Sequence, residues 1–451
     1  MQRILVPIIL FITLLSAACG GDPNLPVATG KGSIRAINAI PMSPDVSFLI
    51  EERRLSALVY QGASQLTPYD DLNYTFNFEV LYAGETSARR LASRNIDIMA
   101  GREYVFLLGG SLSSPTITVW EDDERSFAEA DTVFAAKFAH ASATLGALDY
   151  YFADAAITPA LGNEAATLSY GEVADAADFA EGDYVLTITT AGNPGDVVYT
   201  SASTTFTPRD SYLLTTFDSD VSDRAPVVVN SFRSIGGSSQ LPDANFPPTV
   251  QFVNASMDLA GVDIYDDEAL TSQIITDHDF LDVTAELEIA VGTNTFYYTP
   301  TGDTAAVLLE TPLSAFGGRR YRAVAVGPAG EPIGVAFAPD VRPIDTGVKV
   351  SLYSTSNNFA FVDVYAVDAG TSIDDVLLPL RGALTVEFEP TSAVLAAGSY
   401  DLYITATADK VALAGPYRLD VAVGDVVDLI IVDTMEPTVL EVLFLSGGPT
   451  P

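Results

Sequence analysis

The side chains that most often carry chemistry are scarce in this sequence. Its 451 residues hold two histidines (His140 and His278), one cysteine (Cys19) and one tryptophan (Trp120). A hydrolase needs a nucleophile whose base is oriented by a third group. Neither a Gly-x-Ser-x-Gly elbow nor a second thiol is present. His-Glu-x-x-His and paired Cys-x-x-Cys patterns, the sequence marks of zinc sites, are absent as well. Asp and Glu number 59, so carboxylates close in sequence carry no information about glycosidase chemistry. His140 lies in a strand-like run and reads as a half-buried structural residue. His278, inside Asp277-His278-Asp279, reads as part of a solvated loop. No catalytic residue is expected, and the chain is read as a non-enzyme.

Two binding chemistries can still be weighed. Calcium takes six to eight oxygens, which acidic loops supply. Asp218, Asp220 and Asp223 form one such loop, and residues 266–268 another, neither with EF-hand spacing. Calcium on the first loop is the one cofactor considered. Aromatic rings stack on sugar faces, which singles out Trp120 at the end of the run 116–120. Tyr150-Tyr151 and Tyr297-Tyr298 are expected to expose one ring each, because strand neighbours point to opposite faces.

The elements that must position these residues begin with an export signal. Arg3 precedes an apolar run over residues 4–15, and Ser16, Ala17 and Ala18 lead directly to Cys19. This is the three-part layout of a secretory signal. The run is shorter than the roughly 20 residues a bilayer requires, and it contains Pro7. The small residues before the cysteine resemble the bacterial lipobox, although Ser16 stands where leucine is most typical. That resemblance implies cleavage before Cys19 and lipid on its thiol. Gly20, rather than aspartate, follows the cysteine, which by the same resemblance favours the outer membrane. Residues 1–18 are thus read as signal peptide and 19–32 as a lipid-anchored tether reaching about 20 Å. A single cysteine allows no internal disulfide, so the folded part rests on its cores.

The formal charge of −37 repels nucleic acid, whose phosphates require Lys and Arg clusters. The expected partners are the membrane, through lipid on Cys19, and an envelope protein or polysaccharide. Composition is 48% hydrophobic and 10% aromatic, that of a folded chain.

A repeat runs along the chain. Four similar strands begin at Ile34, Ala136, Val250 and Val350, and each is followed by a strand led by aspartate: Asp45, Asp149, Asp263 and Asp363. A third strand begins at Tyr74, Tyr184, Thr295 and Tyr400. A late strand begins at Tyr104, Tyr212, Tyr321 and Val426, each just after turn formers. Period-2 alternation and frequent turn signals predict an all-β chain of about four tandem immunoglobulin-like β-sandwiches. The Ala-rich stretch 153–180 is the one place where a short helix could form. The units are placed at 33–126, 133–233, 249–342 and 348–446, with a Gly, Ser and Pro-rich linker at 234–248 that lets two pairs of domains move.

The order of these motifs resembles the bacterial domain-of-unknown-function family numbered 4397. His140-Ala141-Ser142 and Asn254-Ala255-Ser256 match its opening, and the segments beginning at Val262 and Val362 match its second strand. The resemblance extends over residues 32–445 and implies a β-sandwich, an envelope location and no catalytic residue. The resulting expectation is a lipid-anchored envelope protein whose domains act as spacer and interaction modules. The alternative is a carbohydrate-binding surface lipoprotein.

Overall fold

The computed structural model describes residues 26–154, 157–220, 223–257, 259, 261–327, 330–386 and 390–448. The signal segment and Cys19 lie outside the described residues. Unit 1 consists of β1 (Lys31–Asn38), β2 (Val46–Ile50), β3 (Arg53–Leu58), β4 (Thr67–Asp70), β5 (Asn73–Val80), β6 (Arg89–Asp97), β7 (Arg102–Ser111) and β8 (Ser114–Asp123). They form two four-stranded sheets, one in the order β4-β1-β7-β8 and the other β3-β2-β5-β6. Every pairing is antiparallel except that of β1 with β7. Units starting at Val133, Thr249 and Val348 repeat this order, with short extra strands at Thr204–Phe206 and Ser238–Gln240 in unit 2. The chain is therefore a tandem array of β-sandwiches. The Ala-rich stretch holds the strands Ala166–Leu168 and Ala177–Ala180 rather than a helix.

Alternation builds each core. In unit 1, Phe48, Phe76, Phe78 and Phe106 meet between the sheets, with the Phe76 and Phe106 centroids 4.5 Å apart. Each such ring contributes about 1.5–3 kcal/mol by leaving water. β7 breaks the half-exposed pattern, since Tyr104 to Leu108 are all buried. Tyr104, Phe106 and Leu108 face the core of unit 1. Val105 and Leu107 point the other way, into a second apolar cluster with Ile37, Trp120, Leu213, Phe217 and Phe232. The first sheets of units 1 and 2 thus pack face to face. Val253, Val324 and Val326 meet Tyr353, Ile430 and Val432 in the same manner between units 3 and 4.

The linker expected at 234–248 is largely built into the fold. Ser238–Gln240 pairs with Asn230 to Phe232, and Leu241 is buried in the core of unit 2. Strand pairing uses backbone groups, so a polar Ser-Ser-Gln run can join a sheet edge without apolar side chains. Farther on, Ala244 donates its N–H to Thr200 O (2.8 Å), and Asp243 donates to Gly317 O (3.4 Å). Units 2 and 3 are joined through ordered hydrogen bonds, not through a slack tether.

Candidate functional site

The residues singled out in sequence occupy structural stations that the repeat makes recognisable. At the end of the first strand of units 1, 2 and 3 a polar side chain turns the backbone, whereas Ser354 at this station in unit 4 has a buried hydroxyl without a partner. In unit 1, Asn38 Oδ1 accepts from Ile40 N, and its Nδ2 donates to Ser43 Oγ and Leu58 O. Asn254 does the same with Ser256 N, Leu259 O and His278 O. His140 takes this station in unit 2. Its Nδ1 accepts from Ser142 N at 3.3 Å, and its Nε2 lies 2.8 Å from Gly146 O. It is fully buried, not half-buried, and burial lowers its pKa from the usual imidazole value.

The aspartate of the second strand is a clamp. Asp149 accepts from Thr167 Oγ1 on one side and Gly192 N on the other. Asp263 accepts from Asp277 N and Gly302 N, both at 2.9 Å. Asp363 accepts from Ala383 N, Thr407 Oγ1 and Ala408 N. Each ties together the turns of the two strands flanking it. The pairing register corrects the sequence alignment of unit 1. Ser47, opposite Glu79, holds the place that Asp263 holds opposite Thr299, and Asp45 lies two residues earlier. The late tyrosines fix the preceding turn through the hydroxyl, which accepts from the N–H five residues upstream: Met99 for Tyr104, Thr207 for Tyr212, Phe316 for Tyr321. This is the tyrosine-corner device of β-sandwiches.

Trp120 is not an exposed platform. It is buried in the seam between units 1 and 2, and its indole N–H donates to Gly171 O at 2.8 Å. Tyr150 and Tyr151 are both buried, Tyr151 with its hydroxyl 3.3 Å from Glu164. Of the other pair, Tyr298 is buried and Tyr297 half-buried. The sequence pattern missed this cover because alternation reports the faces of one sheet, not what packs on them.

Asp218, Asp220 and Asp223 do not converge. Asp218 Oδ1 accepts from the hydroxyls of Ser142 and Thr144, and Oδ2 from Ala143 N at 2.9 Å. Asp433 does the equivalent work in unit 4 for Ser356 and Asn357. Asp220 lies 3.8 Å from Arg342. Asp223 accepts from Asp220 N at 3.4 Å, and burial together with the charge of Asp220 pushes its pKa up to about 6. Among the described residues no group of three His, Cys, Asp or Glu side chains is arranged to hold a metal ion. His278 is buried rather than solvated, and its Nε2 has no partner. Burial lowers its pKa as well, against the pull of Asp282 and Asp279.

Residues that sequence reasoning missed lie where units meet. Arg342, between units 3 and 4, is buried and donates to Ser43 O of unit 1 at 2.5 Å, with its guanidinium over the Tyr60 ring. Tyr60 and Gln61 of unit 1 both donate to Asp218 O of unit 2 at 2.8 Å. Asp243 Oδ2 is buried without a partner, and burial raises that carboxyl to about 6.

The structure titled "The Bacillus anthracis TIE protein" is similar over 90% of this chain and 69% of its own, at 10% identity and a TM-score of 0.16. A carbohydrate-binding module of family CBM26 from Eubacterium rectale Amy13K, solved with maltoheptaose, is similar over 41% of this chain and 91% of its own, at 11% identity and a TM-score of 0.14. No curated protein matches the chain. The sequence model of the family described as "Domain of unknown function (DUF4397)" matches residues 32–151 and 248–365. Each match runs through an odd-numbered unit into the second strand of the next, and the later strands of units 2 and 4 fall outside it. Together the two matches cover more than half of the sequence, and the chain belongs to the DUF4397 family.

Proposed function

We propose that this chain is a non-enzymatic cell-envelope protein, held by lipid on Cys19, whose paired β-sandwiches act as a spaced interaction scaffold. The observation that carries the reading is the use of the reactive side chains. His140, Asp218 and Trp120 each serve a turn or a seam, and the remaining aspartates of the repeat clamp strand ends. Polar groups committed in this way hold the fold and its seams. The buried apolar seams hold neighbouring units in fixed relation, which suits presentation of a surface more than turnover. The carbohydrate-binding alternative loses its aromatic platform with the burial of Trp120.

Chemical cross-linking on intact cells, with mass spectrometry of what copurifies, tests the scaffold. Recovery of one or a few specific envelope proteins is expected. Recovery of bulk porins and polysaccharide alone would overturn the scaffold and return attention to sugars. For the anchor, Cys19→Ala should move the protein from the membrane fraction to the soluble one and abolish incorporation of a fatty-acid label.

A further inference from the structure

Beside the seam of units 1 and 2 lies a cavity of about 270 Å³, just below the roughly 300–1,000 Å³ of drug-sized sites. Arg35 of β1 lines it while being only 4% exposed. Its Nη2 donates to Arg233 O, and its Nε has no partner. Among the described residues no carboxylate stands within ion-pair distance of it. A guanidinium taken out of water without a counter-ion is strongly unfavourable. Burial accordingly pulls Arg35 below its ordinary pKa, with more distant Glu103 and Asp210 opposing.

The seam of units 3 and 4 provides an internal comparison. There the register puts Gln251 at the station of Arg35, and the buried guanidinium belongs to Arg322 on the adjacent strand. Arg322 is paired with Asp428 at 2.9 Å and donates to Gln251 Oε1 at 3.3 Å. The station of Asp428 in unit 2 is Leu213, which lines the open cavity. One seam thus neutralises its buried arginine from within, and the other leaves it beside empty volume. Across the cavity stands Lys137, the counterpart of Arg35 in unit 2, 3.1 Å from Asp122 and 4.0 Å from Glu103.

We infer that this cavity binds a small organic carboxylate whose neighbouring carbons carry hydroxyl or amino groups. The carboxylate seats against Arg35 and Lys137, supplying the counter-ion that Asp428 supplies in the other seam. The hydroxyl or ammonium donors face the acidic side of the lining, Glu103, Asp122, Asp123 and Glu124, which also disfavours a dianion such as phosphate. A sugar acid and an amino acid share this chemistry and fit the volume. The inference stands apart from the lipid anchor and the scaffold, since it concerns a small molecule and not an envelope partner.

Titration calorimetry of the full-length protein in detergent decides it, with glucuronate and glutamate as probes and glucose and inorganic phosphate as controls. The expected result is one saturable site for at least one carboxylate, with Kd near or below about 1 mM. Binding of glucuronate alone identifies a sugar acid, and binding of glutamate alone an amino acid. Arg35→Met should weaken the bound probe at least about tenfold. Leu213→Asp, which brings a carboxylate from within, should weaken it comparably, with circular dichroism and the unfolding transition showing that the variant is folded. The second variant keeps the test decisive if the first fails to fold. Absence of saturable binding for both carboxylates up to about 10 mM, preference for glucose or phosphate, or indifference to Leu213→Asp would overturn the inference.

Discussion

The clamp aspartates show how much a short motif can carry. Asp263 is 3% exposed and accepts from two backbone N–H groups, those of Asp277 and Gly302. Hydrogen bonds to a charged group contribute about 1.5–3 kcal/mol each, so Asp263→Ala should lower the stability of unit 3 by about 3 kcal/mol in urea unfolding. His278 stands where the other units have Leu58, Leu168 and Leu384. It brings an unpartnered nitrogen into a leucine site, and His278→Leu should stabilise unit 3 by about 1 kcal/mol at pH 7. The sign of the pH dependence follows from the shifts. His140 and His278 titrate lower when folded, so the unfolded chain takes the proton first and stability falls as pH drops below about 6.5. Asp223 and Asp243 titrate near 6 when folded, so their contribution is present at low pH and lost as pH rises from about 4 to 6. Unfolding temperatures measured from pH 4.5 to 7.5 should flatten on the acid side in His278→Leu and improve at pH 7 in Asp243→Asn. The sequence displayed the aspartates as a repeat but placed that of unit 1 two residues early. Ser47 stands at the clamp station of unit 1, and Asp45, two residues before it, is the nearest aspartate in sequence.

At the scale of elements, the strands were legible because one face of each is apolar. The seams were less so. The run Tyr104 to Leu108 has no polar position at either parity, and such a strand is covered on both faces. That reading would have moved Trp120 from the surface to an interface, since Trp120 pairs with Val105 in register. The segment 234–248 departs from expectation for the opposite reason. Gly, Ser and Pro mark irregular backbone but not its mobility, and here that backbone is bonded on both sides. Gly317 shows how tight the junction is, because a Cβ there would lie 2.0 Å from Asp243 O. Gly317→Ala should therefore open the junction of units 2 and 3, at a cost of about 2 kcal/mol. Limited proteolysis should then cut within residues 241–247 several times faster than in the parent protein.

For the whole molecule, Arg342 is the buried side chain by which the connector of units 3 and 4 holds units 1 and 2, beside the backbone bonds Asp345 N to Met42 O and Ala83 N to Thr346 O. Arg342→Ala should leave each sandwich folded and loosen the contact between the two pairs, whose backbone bonds at the junction of units 2 and 3 remain. A larger radius of gyration in small-angle scattering and a split of one thermal transition into two would report it. Because Asp218 spends its carboxylate on Ser142, Ala143 and Thr144, a chelator should leave the unfolding temperature unchanged. Nothing in the charge of −37 foretold where a lone cation would be buried, since Arg35 differs from the other arginines only in what the fold places around it.

The parallel pairing of β1 with β7 also sets a timetable. Ile34 lies opposite Tyr104, so the first strand of the unit has no neighbour on that side until some seventy residues later have been made. Contacts that distant in sequence form slowly, because a long loop must close before they are rewarded. The outward faces of Val105 and Leu107 wait longer still, since Leu213, Phe217 and Phe232 are synthesised about a hundred residues afterwards. A growing chain stopped between those points would carry one finished sandwich with a bare apolar side. Ribosome-stalled or truncated forms ending near residue 130 should therefore self-associate, whereas forms ending near residue 245 should stay monodisperse.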